Sequence, residues 1–293
     1  MKFTFNGISS DEMGLYRVYI DKEQATHPLG GARTITTAKA MYSHKNIITK
    51  VSPEPLTFSL TFTAMDKPFT PIRIREIYSY FDVDNYAKLS FNTNPEFYYN
   101  VMPMTNQTDL NLYCGDVGYF SLDFVCDSHH GWIDREYKFS TSDEGLWEIY
   151  NESNVRNEYG NYLVYPTIKV NMKKGTHFGI CPQYKVIADN TDGQLDLTAT
   201  ETYNWFRLVN LNYTYNETND TGLQFTIDNM NKQIYNDTNN VNLLSHIYMK
   251  GTVPQYNFVG LQEGHTYLYR ERLNSDTALD FDMIVKASYP VIT

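Results

Sequence analysis

The chain has 293 residues, enough for one large core or two of ordinary size, and two is the expectation. Its 24 Lys and Arg stand against 34 Asp and Glu, a formal charge of −10 with the cations scattered, which excludes nucleic-acid binding through a broad basic face. No apolar run is long enough to span a bilayer, and Met1 to Gly7 lacks the apolar stretch of a signal peptide, so synthesis in a cytoplasm and no membrane insertion are expected.

In chain order, Phe3 and Phe5 before Gly7, then Leu15, Val18 and Ile20 after Gly14, read as paired strands joined by a Ser-Ser-Asp turn. From His27 to Lys50 the sequence is polar and Thr-rich, too long for a tight hairpin turn between two strands of one domain. It is either a mobile loop or an arm, at about 28–50, that orders against a neighbouring copy. Leu29, Arg33, Ile35, Met41, Tyr42 and Ile47 are the residues expected to be buried only on assembly.

Leu56, Phe58, Leu60 and Phe62 then alternate with Thr57, Ser59, Thr61 and Thr63, the period-2 pattern of a half-buried strand. Thr70 as N-cap and Pro71 at the first position predict a helix, with Ile74, Ile77, Tyr78 and Phe81 on one face. Extended segments follow at Lys88–Phe91 and Phe97–Val101, and Phe120, Leu122, Phe124 and Cys126 alternate with Ser121, Asp123 and Val125. The unit is α+β, one helix on a sheet.

A second boundary falls between Asp127 and about Tyr159, and from Tyr165 onward the chain is all-β in character. Candidate strands are Thr167–Asn171, Trp205–Leu211, Gly222–Ile227 and Leu279–Val285, separated by turn pairs such as Asp192-Gly193 and Asp228-Asn229. Many short strands at this spacing predict a β-sandwich of jelly-roll type.

Catalytic and metal chemistry find little support. His129 and His130 are adjacent, and neighbours on a strand point to opposite faces, so they are not expected to share an ion. Asp116, Asp123 and Asp127 read as turn or solvent-facing acids rather than a glycosidase pair. Cys114, Cys126 and Cys181 have neither an even count nor metal-ligand spacing and read as core residues. No catalytic residue, cofactor or metal is expected. With 25 Tyr in the chain, Tyr203, Trp205, Tyr213 and Tyr215 are candidates for a glycan platform or a docking face, or equally for core.

Several stretches together resemble a family. Phe3-x-Phe5-Asn6-Gly7 followed by Ser10-Asp11-x-x-Gly14, then Pro55-Leu56-x-Phe58-x-Leu60-x-Phe62, then Arg73-x-Arg75-Glu76-Ile77, then Phe120-x-Leu122-x-Phe124-x-Cys126 are similar, in this order, to the distal tail proteins (baseplate hubs) of phages with long non-contractile tails. Tyr165-Pro166-x-Ile168 and Ile227-Asp228-Asn229-x-Asn231-Lys232-Gln233-Ile234 extend the likeness into the second half. Within the arm the chain departs from the family, reading Thr36-Thr37-Ala38-Lys39-Ala40 where a Pro-Gly-Arg-like turn is common.

The resemblance implies a mainly β protein with one helix: a split-barrel-like α+β ring domain at 1–135, a linker at 136–160 and a galectin-like or jelly-roll sandwich at 161–293. It further implies a non-enzymatic virion protein at the tail tip or baseplate. Six copies would form a ring joining the tail tube protein to the tail-associated tip protein and the tape-measure end, and anchoring receptor-binding or baseplate proteins. DNA would pass through the channel without specific binding. The alternative is a carbohydrate-binding module that contacts the host cell wall.

Overall fold

Thr57–Thr63 runs antiparallel to Val117–Cys126 in the computed structural model, with Leu60 opposite Leu122 and Phe62 opposite Phe120. Alternation along both strands therefore delivers Leu60, Phe62, Phe120, Leu122 and Phe124 to one buried face, and Ser59, Ser121 and Asp123 to solvent. The structure describes residues 1–19, 32–39, 45–64, 68–104, 110–113, 117–143, 146–157, 160–175, 177–185, 194–196, 205–209, 211, 222–238, 240–247, 249–250, 253–254, 258–272 and 280–292.

The chain divides into two compact units, Met1–Ile133 with Pro290–Thr293, and Asp134–Tyr289. In the first, the strands are β1 (Phe3–Phe5), β2 (Ile8–Ser9), β3 (Tyr16–Val18), β4 (Arg33–Lys39), β5 (Asn46–Pro53), β6 (Thr57–Thr63), β7 (Ala87–Phe91), β8 (Asn94–Met104), β9 (Leu110–Tyr113) and β10 (Val117–Cys126), with helix α1 at Pro71–Phe81. The sheet runs β3-β6-β10-β8-β7-β1-β2, with β9 on β10. Its first hairpin turns on Asn6 and Gly7, both at positive φ, and pairs Phe5 with Ile8; a two-residue loop with two left-handed residues matches strand twist, and Asn-Gly supplies it at least steric cost. The core is aromatic. Phe62 packs within 5.0–6.2 Å (ring centroids) of Phe3, Phe81, Phe120 and Phe124.

Helix α1 starts as the sequence predicts: Thr70 Oγ1 accepts from the Arg73 backbone N–H at 3.3 Å, and Pro71 opens the first turn. Its buried face is rotated from the expected one. Ile77 and Phe81 face the core, but Arg73 and Tyr80 join them, while Ile74 and Tyr78 are exposed. Tyr80 turns inward because its hydroxyl donates to the Ile8 carbonyl at 3.0 Å, and Arg73 does so with Nη1 paired to Glu76 at 2.9 Å.

The chain passes from the first unit to the second within β11 (Gly131–Ser140) and back within β22 (Asp280–Val291). Between these lie β12 (Trp147–Asn151), β13 (Thr167–Lys174), β14 (Phe178–Gln183), β15 (Gln194–Asp196), β16 (Phe206–Leu208), β17 (Leu223–Asp228), β18 (Gln233–Asn236), β19 (Met249–Lys250), β20 (Val253–Pro254) and β21 (Gly264–Arg272). The stretch 136–160, expected as a linker, instead holds the end of β11 and all of β12, whose Trp147 and Ile149 are buried. Two sheets face each other, β18-β17-β13-β22 and β12-β21-β14-β16 with β15 on β21. Phe178 of the second sheet meets Phe225 and Phe281 of the first at 5.5 and 5.0 Å, so the expected β-sandwich is present. Buried Asn229 ties loops to it: its Nδ2 donates to the Pro166 carbonyl at 2.7 Å and its Oδ1 accepts from Val259 N–H at 2.8 Å.

Candidate functional site

Strands β4 and β5 form a two-stranded antiparallel sheet of their own, closed at its base by Glu54 N–H donating to the Ala32 carbonyl at 2.8 Å. Every residue of β4 is exposed, and in β5 only Ser52 is even half-buried. Of the residues expected in an inter-subunit arm, Arg33, Ile35 and Ile47 lie on this hairpin, whereas Leu29, Met41 and Tyr42 fall outside the described residues. The segment with no legible periodicity thus holds two paired strands, a hairpin formed by β4 and β5.

Directly paired residues share a face of a two-stranded sheet. Arg33 pairs with Pro53, Ile35 with Val51, Thr37 with Ile48 and Lys39 with Asn46, which gathers Ile35, Val51 and Ile48 into an apolar row with a cation at each end. The other face carries Thr34, Ser52, Thr36 and Lys50, then Ala38 and Ile47. One irregularity makes this possible. The register shifts between Thr36 and Thr37, leaving Thr49 as the extra residue, with its hydroxyl on the Thr36 carbonyl at 3.0 Å. Without it, Ile48 and Val51, an odd three positions apart, would point to opposite faces.

Ile35, Ile48 and Val51 are 55, 58 and 47% exposed, a cost in water unless something covers them. Arg33, Lys39, Lys45 and Lys50 outnumber Glu54 by three on a chain whose total is −10. Among the described residues no further strand pairs with either edge of the hairpin, and an open strand edge is the usual template for strand addition. Ile48 and Val51 were missed from sequence, and the only signal for them is β-branching in a run of five residues.

Near the hairpin base, His129 and His130 meet edge to face at 4.7 Å in the bend after β10, and His130 packs on Trp132 at 4.7 Å. Both ring nitrogens of His130 are buried without a hydrogen-bond partner among the described residues. Burial first, and His129 second, push its pKa down to about 4. No group of three or more metal-ligating side chains occurs among the described residues.

In the second unit, Tyr203, Tyr213 and Tyr215 lie outside the described residues. Trp205 is only 4% exposed, clustered with Cys181 and Tyr269, so it offers no open ring for a sugar. The open aromatics are elsewhere. Tyr150 on β12 and His265 on β21 are cross-strand partners with rings 4.9 Å apart, and Glu148 meets His265 Nδ1 at 2.5 Å. Burial raises the thiol pKa of Cys126 to about 12 and of Cys181 to about 11, which keeps both unreactive.

Residues 1–128 match the family model for a phage tail protein N-terminal domain. A curated relative, the SPbeta prophage-derived uncharacterized protein YomH of Bacillus subtilis (strain 168), is 28% identical over 120 residues, which cover 41% of this chain and 47% of the relative. The match thus spans about half the length of that relative. Among solved structures, the SPP1 Dit (gp 19.1) protein, described as a paradigm of hub adsorption apparatus in Gram-positive infecting phages, superposes with a TM-score of 0.58 at 11% identity over 98% of both chains. A chain of the phage p2 baseplate in its activated conformation with Sr gives 0.46 at 11% identity over 97% of both. Residues 1–128 are therefore similar to a phage tail protein N-terminal domain, and the whole chain shares its fold with the SPP1 Dit protein.

Proposed function

We propose that the chain is a structural hub of a phage tail: a homo-hexameric ring joining the distal end of the tail tube to the tip or baseplate and anchoring host-binding components. The observation that carries this reading is the exposed hairpin β4–β5, whose apolar row Ile35–Val51–Ile48 needs a partner surface, on a unit matched to a phage tail domain. Burying large apolar side chains there contributes roughly 1.5–3 kcal/mol each before ordering costs. Six repeats around a closed ring are enough to decide oligomeric state. The tail tube protein, the tail-associated tip protein, the tape-measure end and receptor-binding or baseplate proteins are the partners. A net charge of −10 suits a channel through which DNA passes without binding.

The test is the mass of the purified protein by light scattering together with electron micrographs of the same sample. Rings of six are expected. A protein that stays monomeric at all concentrations, with and without its tail partners, sinks the reading.

A second reading, binding of cell-wall glycans, rests on exposed Tyr150 beside the Glu148–His265 pair, a ring face and polar groups of the kind that hold sugars. It predicts binding of the full-length protein to host wall glycans that Tyr150→Ala abolishes. No binding by the native protein on a glycan array disposes of it.

A further inference from the structure

Two surfaces of the first unit lie uncovered in the same chain. One is the apolar row of the hairpin; the other is a flank of α1. Ile74, Tyr78 and Asp82 sit four residues apart and so form a line along the helix, with Ile74 and Asp82 exposed and Tyr78 53% exposed. Neither surface packs on the other within one copy, since both remain open. A pairing between them joins two copies.

The charges fit. The C-terminal end of a helix carries partial negative charge and is normally balanced by Lys or Arg, yet the last turn of α1 has no basic residue. Exposed Asp82 caps it, and exposed Asp84 follows two residues on, which adds like charge to the negative end. Arg75 is exposed near the start of α1, at the opposite end from these two acids, and Arg73 is paired to Glu76. The last turn of the helix therefore carries no cation of its own, and the hairpin row ends in one on either side, Arg33 and Lys39.

The spacings fit as well. Successive same-face residues of a strand advance about 6.8 Å, and successive i, i+4 residues of a helix about 6 Å, so two or three knobs stay in step. The row from Arg33 to Lys39 spans roughly 20 Å, and α1 about 16 Å, so a hairpin lying along the helix reaches past its end to the two aspartates.

We propose that the Ile74–Tyr78–Asp82 flank of α1, with Asp84, receives the β4–β5 hairpin of a neighbouring copy. This rests on the reading of that hairpin as an inter-subunit arm and names the surface it occupies.

The experiment compares four full-length proteins by light scattering over a dilution series: native, Arg33→Glu with Lys39→Glu, Asp82→Lys with Asp84→Lys, and all four changes together. Every substituted side chain is exposed, and thermal melts check that each variant folds. Each charge reversal alone is expected to weaken assembly at least tenfold, and the combined variant to recover to within about threefold of native. Weakening by the hairpin pair without weakening by the helix pair overturns this docking surface and leaves the arm reading standing. Full assembly by both single-side variants, or a native protein that never leaves the monomer, overturns the arm reading too. Should a reversal variant fail to fold, mixing Ile35→Cys with Tyr78→Cys protein under mild oxidation decides the matter. A crosslinked pair is expected, and its absence from assembled rings overturns the proposal.

Discussion

Ile35 and Val51 lie directly opposite each other across β4 and β5, about half of each side chain open to water, with Ile48 beside them on the same face. Side chains placed this way add little to the stability of the copy that carries them. Replacing all three by Thr, which keeps the β-branching that strands favour, is expected to change unfolding free energy by no more than about 0.5 kcal/mol and to reduce self-association strongly. Urea unfolding and light scattering on the same samples check both halves of this. A large stability loss means the row is packed within its own copy.

The core is the opposite case. Phe62 has no exposed surface and touches four other aromatic rings. Phe62→Ala removes the transfer energy of a large side chain and leaves a cavity between β6, β10 and α1, at a cost of about 3–5 kcal/mol. Denaturant titration of the first unit's transition measures it, and a loss under 1 kcal/mol contradicts the packing described.

Acid should destabilise the first unit through His130. Its folded pKa, about 4, lies below the ordinary 6.5 because the ring is buried beside His129, whose own pKa burial and Arg33 lower. Asp127 acts in the other sense and does not prevail. The unfolded chain then binds the proton more readily, so the stability present above pH 6.5 falls as pH drops toward 4. Allowing for solvent screening of a partly open group, the effect is on the order of 1–2 kcal/mol. Unfolding curves at pH 7 and pH 5 should separate for the native protein and draw together for His130→Phe. An unchanged pH dependence in the variant assigns the effect elsewhere.

Asn229 is expected to matter to the second unit out of proportion to its size. Asn229→Ala strands the Pro166 carbonyl and the Val259 N–H in a dry interior, at about 1–3 kcal/mol for each lost partner. Asn229→Asp keeps the acceptor but sets a carboxylate against a carbonyl, so at neutral pH it should be no better than Ala. Melting temperatures of the two variants decide.

What could be read from the sequence follows from how regular each element is. Strands β6 and β10 were legible because Leu60, Phe62, Phe120 and Leu122 keep strict period 2 through one-to-one pairing. The hairpin was not, because the extra Thr49 breaks the period that Ile48 and Val51 would otherwise show, and because its apolar residues face water rather than a core. The helix was legible in its cap and length but not in its roll. Ile74 and Tyr78 satisfy a 3.6-residue period as well as Arg73 and Tyr80 do, and hydrogen bonds to Ile8 and Glu76, distant or local, select between them. Alternation alone left Trp205 equally suited to core and surface, and its neighbours Cys181 and Tyr269 come from other strands.

The second unit is inserted within the first, since the chain leaves within Gly131–Ser140 and re-enters within Asp280–Val291. A tensile force on the sandwich is therefore carried at Ile133–Asp134 by the covalent chain, and past Tyr289 only by the first unit's non-covalent grip on the short segment that begins at Pro290. Cutting the chain within Gly131–Ser140 leaves only that grip to hold the sandwich, whereas cutting after Tyr289 leaves the covalent link intact. The return strand is thus a second and weaker hold, one that lasts only while the first unit stays folded.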